Sequence, residues 1–268
     1  MLMSTTNILS NQSELLNSIK NGDIMSVLSY ILNMPIAHVN RIEFLSKIYS
    51  VTESEIANNT YKVSFEERQH LAQKHINSTI VQTTAISFAS GIPGGLAMAG
   101  TIPADILQNM IYSVRLAQQL AYIYDIDIEN NNHIDTDAML LFLGIMFGVN
   151  GAASLLRVTA TNTSKYFSKK ILKAGLSKTI WYPIFKKIVR IVSGKTLTIK
   201  ALSNGASKFI PVIGGVTSGG VTFLGMKKSA NLLNKELQRG YDTKYSEKEY
   251  QKDINILEGQ FRELKTDD

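Results

Sequence analysis

At 268 residues the chain is long enough to bury a sizeable core without covalent staples, and the absence of cysteine excludes a disulfide framework, a thiolate nucleophile and a cysteine-ligated metal. A hydrophobic share of 44% with a mean hydropathy of +0.01 is apolar for a soluble enzyme and too polar for a polytopic transporter. The net charge is +6, yet no acidic residue lies between Asp137 and Glu236, where fifteen lysines and arginines give +15, so the two flanks together carry −9.

Residues 1–62 read as a polar helical N-terminal region. The stretch Met1 to Asp23 is rich in Ser and Asn and lacks both the basic start and the apolar core of a signal peptide, which points to the cytoplasm. Apolar residues spaced by three and four predict helices over Ser13–Ile24, Met25–Leu32, Ile36–Tyr49 and Ser64–His75, with Asn, Asp and Pro35 as breaks. Ser64 stands three residues before Glu67, the spacing of a capping box. The four histidines, His38, His70, His75 and His133, have no ligand spacing around them; they read as surface residues, and no metal site is assigned.

Residues 63–236 form a glycine-rich helical domain with three uncharged segments. The first, Ile76 to Ala104, is interrupted by Gly91-Ile-Pro-Gly-Gly95 and by Pro103, so it predicts two short apolar helices joined by a turn. A helix follows, with Pro103 suited to its first position and Asp105 to its dipole. Along it Asp105, Gln108, Tyr112, Arg115, Gln119 and Tyr122 recur at spacings of three and four and make one polar stripe. A single carboxylate without a histidine does not make a catalytic pair, so the stripe reads as buried polar contacts between helices. The second segment, Ala138 to Leu156, has 19 uncharged residues, close to the roughly 20 that cross a bilayer core. Its Gly144, Gly148 and Ala152 fall at four-residue spacing, a pattern that lets helix backbones approach closely.

Beyond it lies the cationic stretch. Lys178, Trp181, Tyr182, Phe185, Lys186, Lys187 and Arg190 mix aromatic rings with clustered charge, a combination that suits a lipid headgroup boundary. The protein's own acidic flanks are the alternative partner for these cations. Nucleic acid fits less well, since no zinc-finger or RNP-like motif is present. The third segment, Phe209 to Met226, holds five glycines, of which Gly215 and Gly219 repeat the close-packing spacing. Twelve of the chain's 18 glycines lie in the three segments, and close helix packing accounts for that bias in a bundle as well as in a bilayer. Residues 237–268 are charged and poor in glycine, and read as a solvated amphipathic helix or a tail.

No phosphate loop, dinucleotide loop or nucleophile elbow is present, so no catalytic residue and no cofactor is assigned. Three stretches, Gly91-Ile-Pro-Gly-Gly95, Ile102-Pro-Ala-Asp-Ile-Leu-Gln108 and Val114 to Tyr124, resemble the signature of the EcsC family of bacterial proteins. Lys208-Phe-Ile-Pro-Val-Ile-Gly-Gly215 onward is similar to that family's closing glycine-rich motif, and the matches span about residues 65 to 235. The resemblance implies a helical, membrane-associated bacterial protein and no catalytic residue. The expectation is therefore an all-α bundle with a glycine-rich, hairpin-like apolar core, non-enzymatic and in contact with anionic lipid, its glycine-rich helices packing or inserting conditionally. A soluble module for a lipid or other apolar ligand and a membrane-permeabilising protein are the alternatives.

Overall fold

The computed structural model describes residues 24–83, 104–130, 133–149, 151–160, 219–239 and 245–265. The described residues are all-α apart from one two-residue pairing. In chain order the elements are α1 (Ile24–Leu32), α2 (Arg41–Tyr49), α3 (Glu53–Ala57), α4 (Phe65–Thr83), α5 (Ala104–Ile123), β1 (Glu129–Asn130), β2 (His133–Ile134), α6 (Thr136–Met146), α7 (Ala152–Ala160), α8 (Gly219–Arg239) and α9 (Glu247–Lys265). The antiparallel β1–β2 ladder pairs Glu129 with Ile134 and Asn130 with His133, and serves as the turn between α5 and α6.

Local chemistry sets most boundaries. Asn40 caps α2 by accepting from the Glu43 amide at 3.1 Å, which starts the helix at Arg41 rather than at Ile36. Ser50 ends it in the left-handed conformation, φ 56°. Thr52 and Glu55 form a reciprocal capping box for α3, a turn of helix that apolar periodicity alone does not show. The Ser64 hydroxyl accepts from the Glu67 amide at 3.1 Å, and α4 then runs to Thr83, eight residues past His75. Asp135 caps α6 by accepting from the amides of Asp137 and Ala138.

The 19-residue uncharged stretch is not one helix. α6 stops at Met146, Gly148 takes φ 67° and Gly151 φ 89°, and α7 restarts at Ala152. Both glycines occupy the left-handed region, where a side chain would be strained, so they make a turn. Gly148 is exposed in that turn and is not a helix-packing residue; Gly144, inside α6, is buried. Gly219 is the first residue of α8, and Gly215 lies outside the described residues. No helix among the described residues is long and apolar enough to cross a membrane.

α6 forms the centre. Every residue from Ala138 to Met146 is buried, and α1, α5, α7 and α8 pack around it. A helix apolar on all sides must be enclosed by others, which is the arrangement found. Residues from all three sequence regions enter one core cluster, among them Leu28, Leu45 and Ile56, then Leu120, Phe142 and Leu233, then Leu257. α4 packs on α8 and α5, and α9 lies mainly on α7. Within the C-terminal stretch, Glu247–Lys265 is thus a docked helix rather than a solvated one.

Candidate functional site

The polar stripe on α5 turns toward neighbouring elements. The Arg115 guanidinium donates to the carbonyls of Ile36 and His38 at 2.7 and 3.0 Å, holding the chain between α1 and α2. Gln119 bonds the His75 ring at 3.0 Å, and Tyr122 donates to Glu129 at 2.8 Å, fixing the hairpin to the helix. Tyr112 is half-buried on the same helix, while the side chains of Asp105 and Gln108 lie outside the described residues. Arg115, Gln119 and Tyr122 of the stripe are thus committed to contacts within the bundle.

A more deeply buried residue of α5 falls outside that stripe. Gln118 is fully buried, donates to the carbonyl of Ala37 at 2.9 Å and accepts from the Val39 amide at 3.1 Å. In sequence nothing separates it from Gln119. Its two backbone partners are 79 and 81 residues away, so only the tertiary arrangement identifies it.

The carboxyl end of α5 is closed by long-range donors. The carbonyl of Ile123 accepts from the Tyr49 hydroxyl at 2.7 Å and from Arg68 at 2.8 Å, and Arg68 also donates to the Tyr49 oxygen at 2.9 Å. A cation at the negative end of a helix is the favourable sign. Asp125, two residues further and in the left-handed region, pairs with Arg41 at 2.8 Å and accepts from Tyr61 at 3.1 Å.

His75 is half-buried against the Phe44 ring rather than exposed, whereas His38, His70 and His133 are exposed. Burial holds its imidazole below the ordinary histidine value, against the opposing pull of the Gln119 hydrogen bond. The folded chain therefore keeps a neutral ring where the unfolded chain binds a proton. This contribution is fully present above the unfolded value of about 6.5 and is lost as pH falls below it. The midpoint of denaturant unfolding is expected to drop between pH 7 and pH 5.5 in the parent chain, and to drop less in His75→Gln; parallel pH profiles would exclude His75 as the cause.

A dense polar cluster joins α7, α8 and α9. Arg157 of α7 forks onto Asp253 of α9, with Nε to Oδ2 and Nη2 to Oδ1 both at 2.7 Å, and its Nη1 reaches Glu236 of α8 at 2.6 Å. Asp253 also accepts from Ser154 at 2.8 Å and from Tyr245 at 2.6 Å. The Asp253 side chain is 5% exposed, Glu236 12% and Arg157 14%, so the pair operates away from bulk water. Burial pushes the Asp253 carboxyl up, but the donors Arg157, Tyr245 and Ser154 outweigh it and hold the group down at about 2. Burial likewise works against the Arg157 charge, and its two carboxylate partners more than restore it. Burial and the neighbouring Asp253 carboxylate raise the Tyr245 phenol.

A carboxylate saturated with donors and ionised down to about pH 2 is a poor general base, and a guanidinium does not exchange protons at neutral pH. The cluster can hold three helices together; acid–base turnover is not its chemistry. Arg157 is the first cation of the +15 stretch, and it is committed to the acidic flank. Of the other fourteen, Lys227, Lys228 and Lys235 lie on α8, and eleven fall between residues 165 and 208, outside the described residues. The candidate membrane contacts Lys178, Trp181, Tyr182, Phe185, Lys186, Lys187 and Arg190 are among those outside. Compared with known protein families, with curated proteins and with solved structures, the chain matches none.

Proposed function

We propose that the protein is a non-enzymatic, membrane-associated helical protein whose cationic middle meets anionic lipid. One observation carries the reading: 98 consecutive residues, 138–235, contain fifteen cations and no acid. Solvated helices normally interleave both signs to gain pairing along their faces, so a single-sign stretch of this length calls for an anionic surface. The acidic flanks are the competing partner, and the ion pairs of the described residues weigh against their being sufficient. Asp125 pairs with Arg41 and Glu43 with Lys47, both within the N-terminal half, Glu236 and Asp253 both take Arg157, the first cation of the stretch, and Glu236 and Glu249 reach Arg239, which lies beyond it. The resemblance to the EcsC family points the same way, as does the mixture of Trp181, Tyr182 and Phe185 with Lys186, Lys187 and Arg190.

A second reading, conditional insertion, rests on the α6–α7 hairpin. Two helices joined at a glycine turn, the first buried from Ala138 to Met146 and the second amphipathic, hold apolar surface that a membrane could take in place of the bundle.

Cosedimentation tests both. Binding to phosphatidylcholine vesicles containing phosphatidylglycerol, absent with phosphatidylcholine alone and released at 1 M salt, is the result expected of peripheral electrostatic contact, because screening shortens to about 3 Å there. Binding that survives salt supports insertion. Absence of binding at low salt sinks both and favours a soluble carrier of an apolar ligand. The triple change Lys186→Gln, Lys187→Gln and Arg190→Gln removes three cations worth on the order of 1 kcal/mol each, so vesicle affinity should fall on the order of 100-fold.

A further inference from the structure

Within the membrane-associated reading, and resting on it, the geometry points to α9 as a releasable strap: an anionic membrane surface that competes for Arg157 detaches it and uncovers α7. Three observations converge on this.

The first is how α9 is held. Of its described side chains only Leu257 enters the apolar core, whereas α6 contributes every residue from Ala138 to Met146. Tyr250, Ile254 and Ile256 remain partly exposed. Among the described side chains the grip is mainly polar: the two-pronged Arg157–Asp253 pair, the Ser154 and Tyr245 hydrogen bonds to the same carboxylate, and a looser Arg239–Glu249 contact at 3.7 Å between α8 and α9. A buried ion pair of this kind is strong while both partners are present and adds little against an alternative partner of equal quality.

The second is the nature of the competitor. A guanidinium in fork geometry takes a phosphate as readily as a carboxylate, and a lipid phosphate offers it the same two oxygens. The third is charge. Residues 237–268 carry eight acids against six bases, so an anionic surface that attracts the middle of the chain repels the strap. Arg157 stands where α7 leads into the cationic stretch; once freed from Asp253 and Glu236 it adds to the charge facing the lipid.

The chain has no cysteine, which makes a switchable lock practical. The Ser154 and Asp253 side chains face each other across α7 and α9, hydrogen-bonded at 2.8 Å, so Ser154→Cys with Asp253→Cys sets two thiols on opposite sides of the clamp, to be oxidised to tie α9 to α7 or reduced to free it. With vesicles of phosphatidylcholine and phosphatidylglycerol, the reduced form is expected to bind at least tenfold more tightly than the oxidised form, with the parent chain between them. Equal binding of the two forms, while the parent chain binds, overturns the strap and leaves the membrane reading standing. A parent chain that ignores these vesicles at low salt removes both. Hydrogen exchange on the parent chain provides the independent measurement: vesicles should raise exchange across residues 247–257 while 138–146 are deprotected less. Unchanged protection of α9 in the vesicle-bound protein counts against release whether or not the disulfide closes.

Discussion

Arg157→Ala is expected to cost about 3–5 kcal/mol against the docked form of α9, because it leaves Asp253 buried without the cation it forks with and Glu236 with only the looser Arg239 contact at 4.0 Å. Asp253 and Glu236 are 5% and 12% exposed, too little for water to take over the role of the guanidinium. The cheapest response of the chain is to let α9 leave, which returns Asp253 to solvent. Hydrogen exchange should therefore show loss of protection in residues 247–257 ahead of α6, and the global unfolding midpoint should fall by less than the local cost implies. Replacing the cluster as a whole, with Arg157→Met, Glu236→Met and Asp253→Leu together, is expected to be near neutral or stabilising, since the desolvation of three charges disappears along with their attraction. A triple variant as unstable as Arg157→Ala would show that the ion pairs themselves, rather than the stranded charges, hold the helix. The pH dependence has a definite sign: Asp253 titrates at about 2 in the fold and near 3.9 unfolded, so its contribution is fully present above about pH 4 and disappears as pH falls toward 2.

Phe142→Ala is expected to destabilise the whole bundle by about 3–5 kcal/mol, the range for removing a fully buried aromatic ring. Phe142 is 0% exposed at the middle of α6, the helix on which α1, α5, α7 and α8 converge, so no neighbour can collapse into the space without disturbing another contact. For a bundle of this size the unfolding temperature should fall by roughly 10 °C. Ile42→Ala is the matched control: Ile42 is a large apolar side chain that is exposed, at 37%, and its truncation should change stability by less than about 0.5 kcal/mol. Similar losses from the two changes would mean that α6 is not the centre of the core.

Helix identity was legible where the apolar period agreed with a local cap. The Ser64–Glu67 start of α4 and the span of α5 both follow from residues within four positions of one another. The Ala138–Leu156 stretch is instructive for the opposite reason. Its lack of charge and four-residue glycine spacing suit one long packed helix, yet the same glycines equally permit a left-handed turn, and burying α6 and α7 against different neighbours selects the turn. The tail posed the same difficulty: a half-charged amphipathic pattern fits solvent or a docking surface, and Asp253 looks like any exposed acid until Arg157, 96 residues earlier, is brought to it.

The sequence by itself determined the all-α class, the helix starts with local caps, the exclusion of cysteine chemistry and the segregation of charge. These depend on composition or on interactions spanning a single turn. Only the tertiary structure decided which polar residues are committed inside the bundle, namely Gln118 to Ala37 and Val39, Arg68 and Tyr49 to Ile123, and Arg157 to Glu236 and Asp253. Those choices are governed by desolvation: a polar group leaves water only where a partner is already placed, and partners dozens of residues away along the chain are set by packing rather than by spacing.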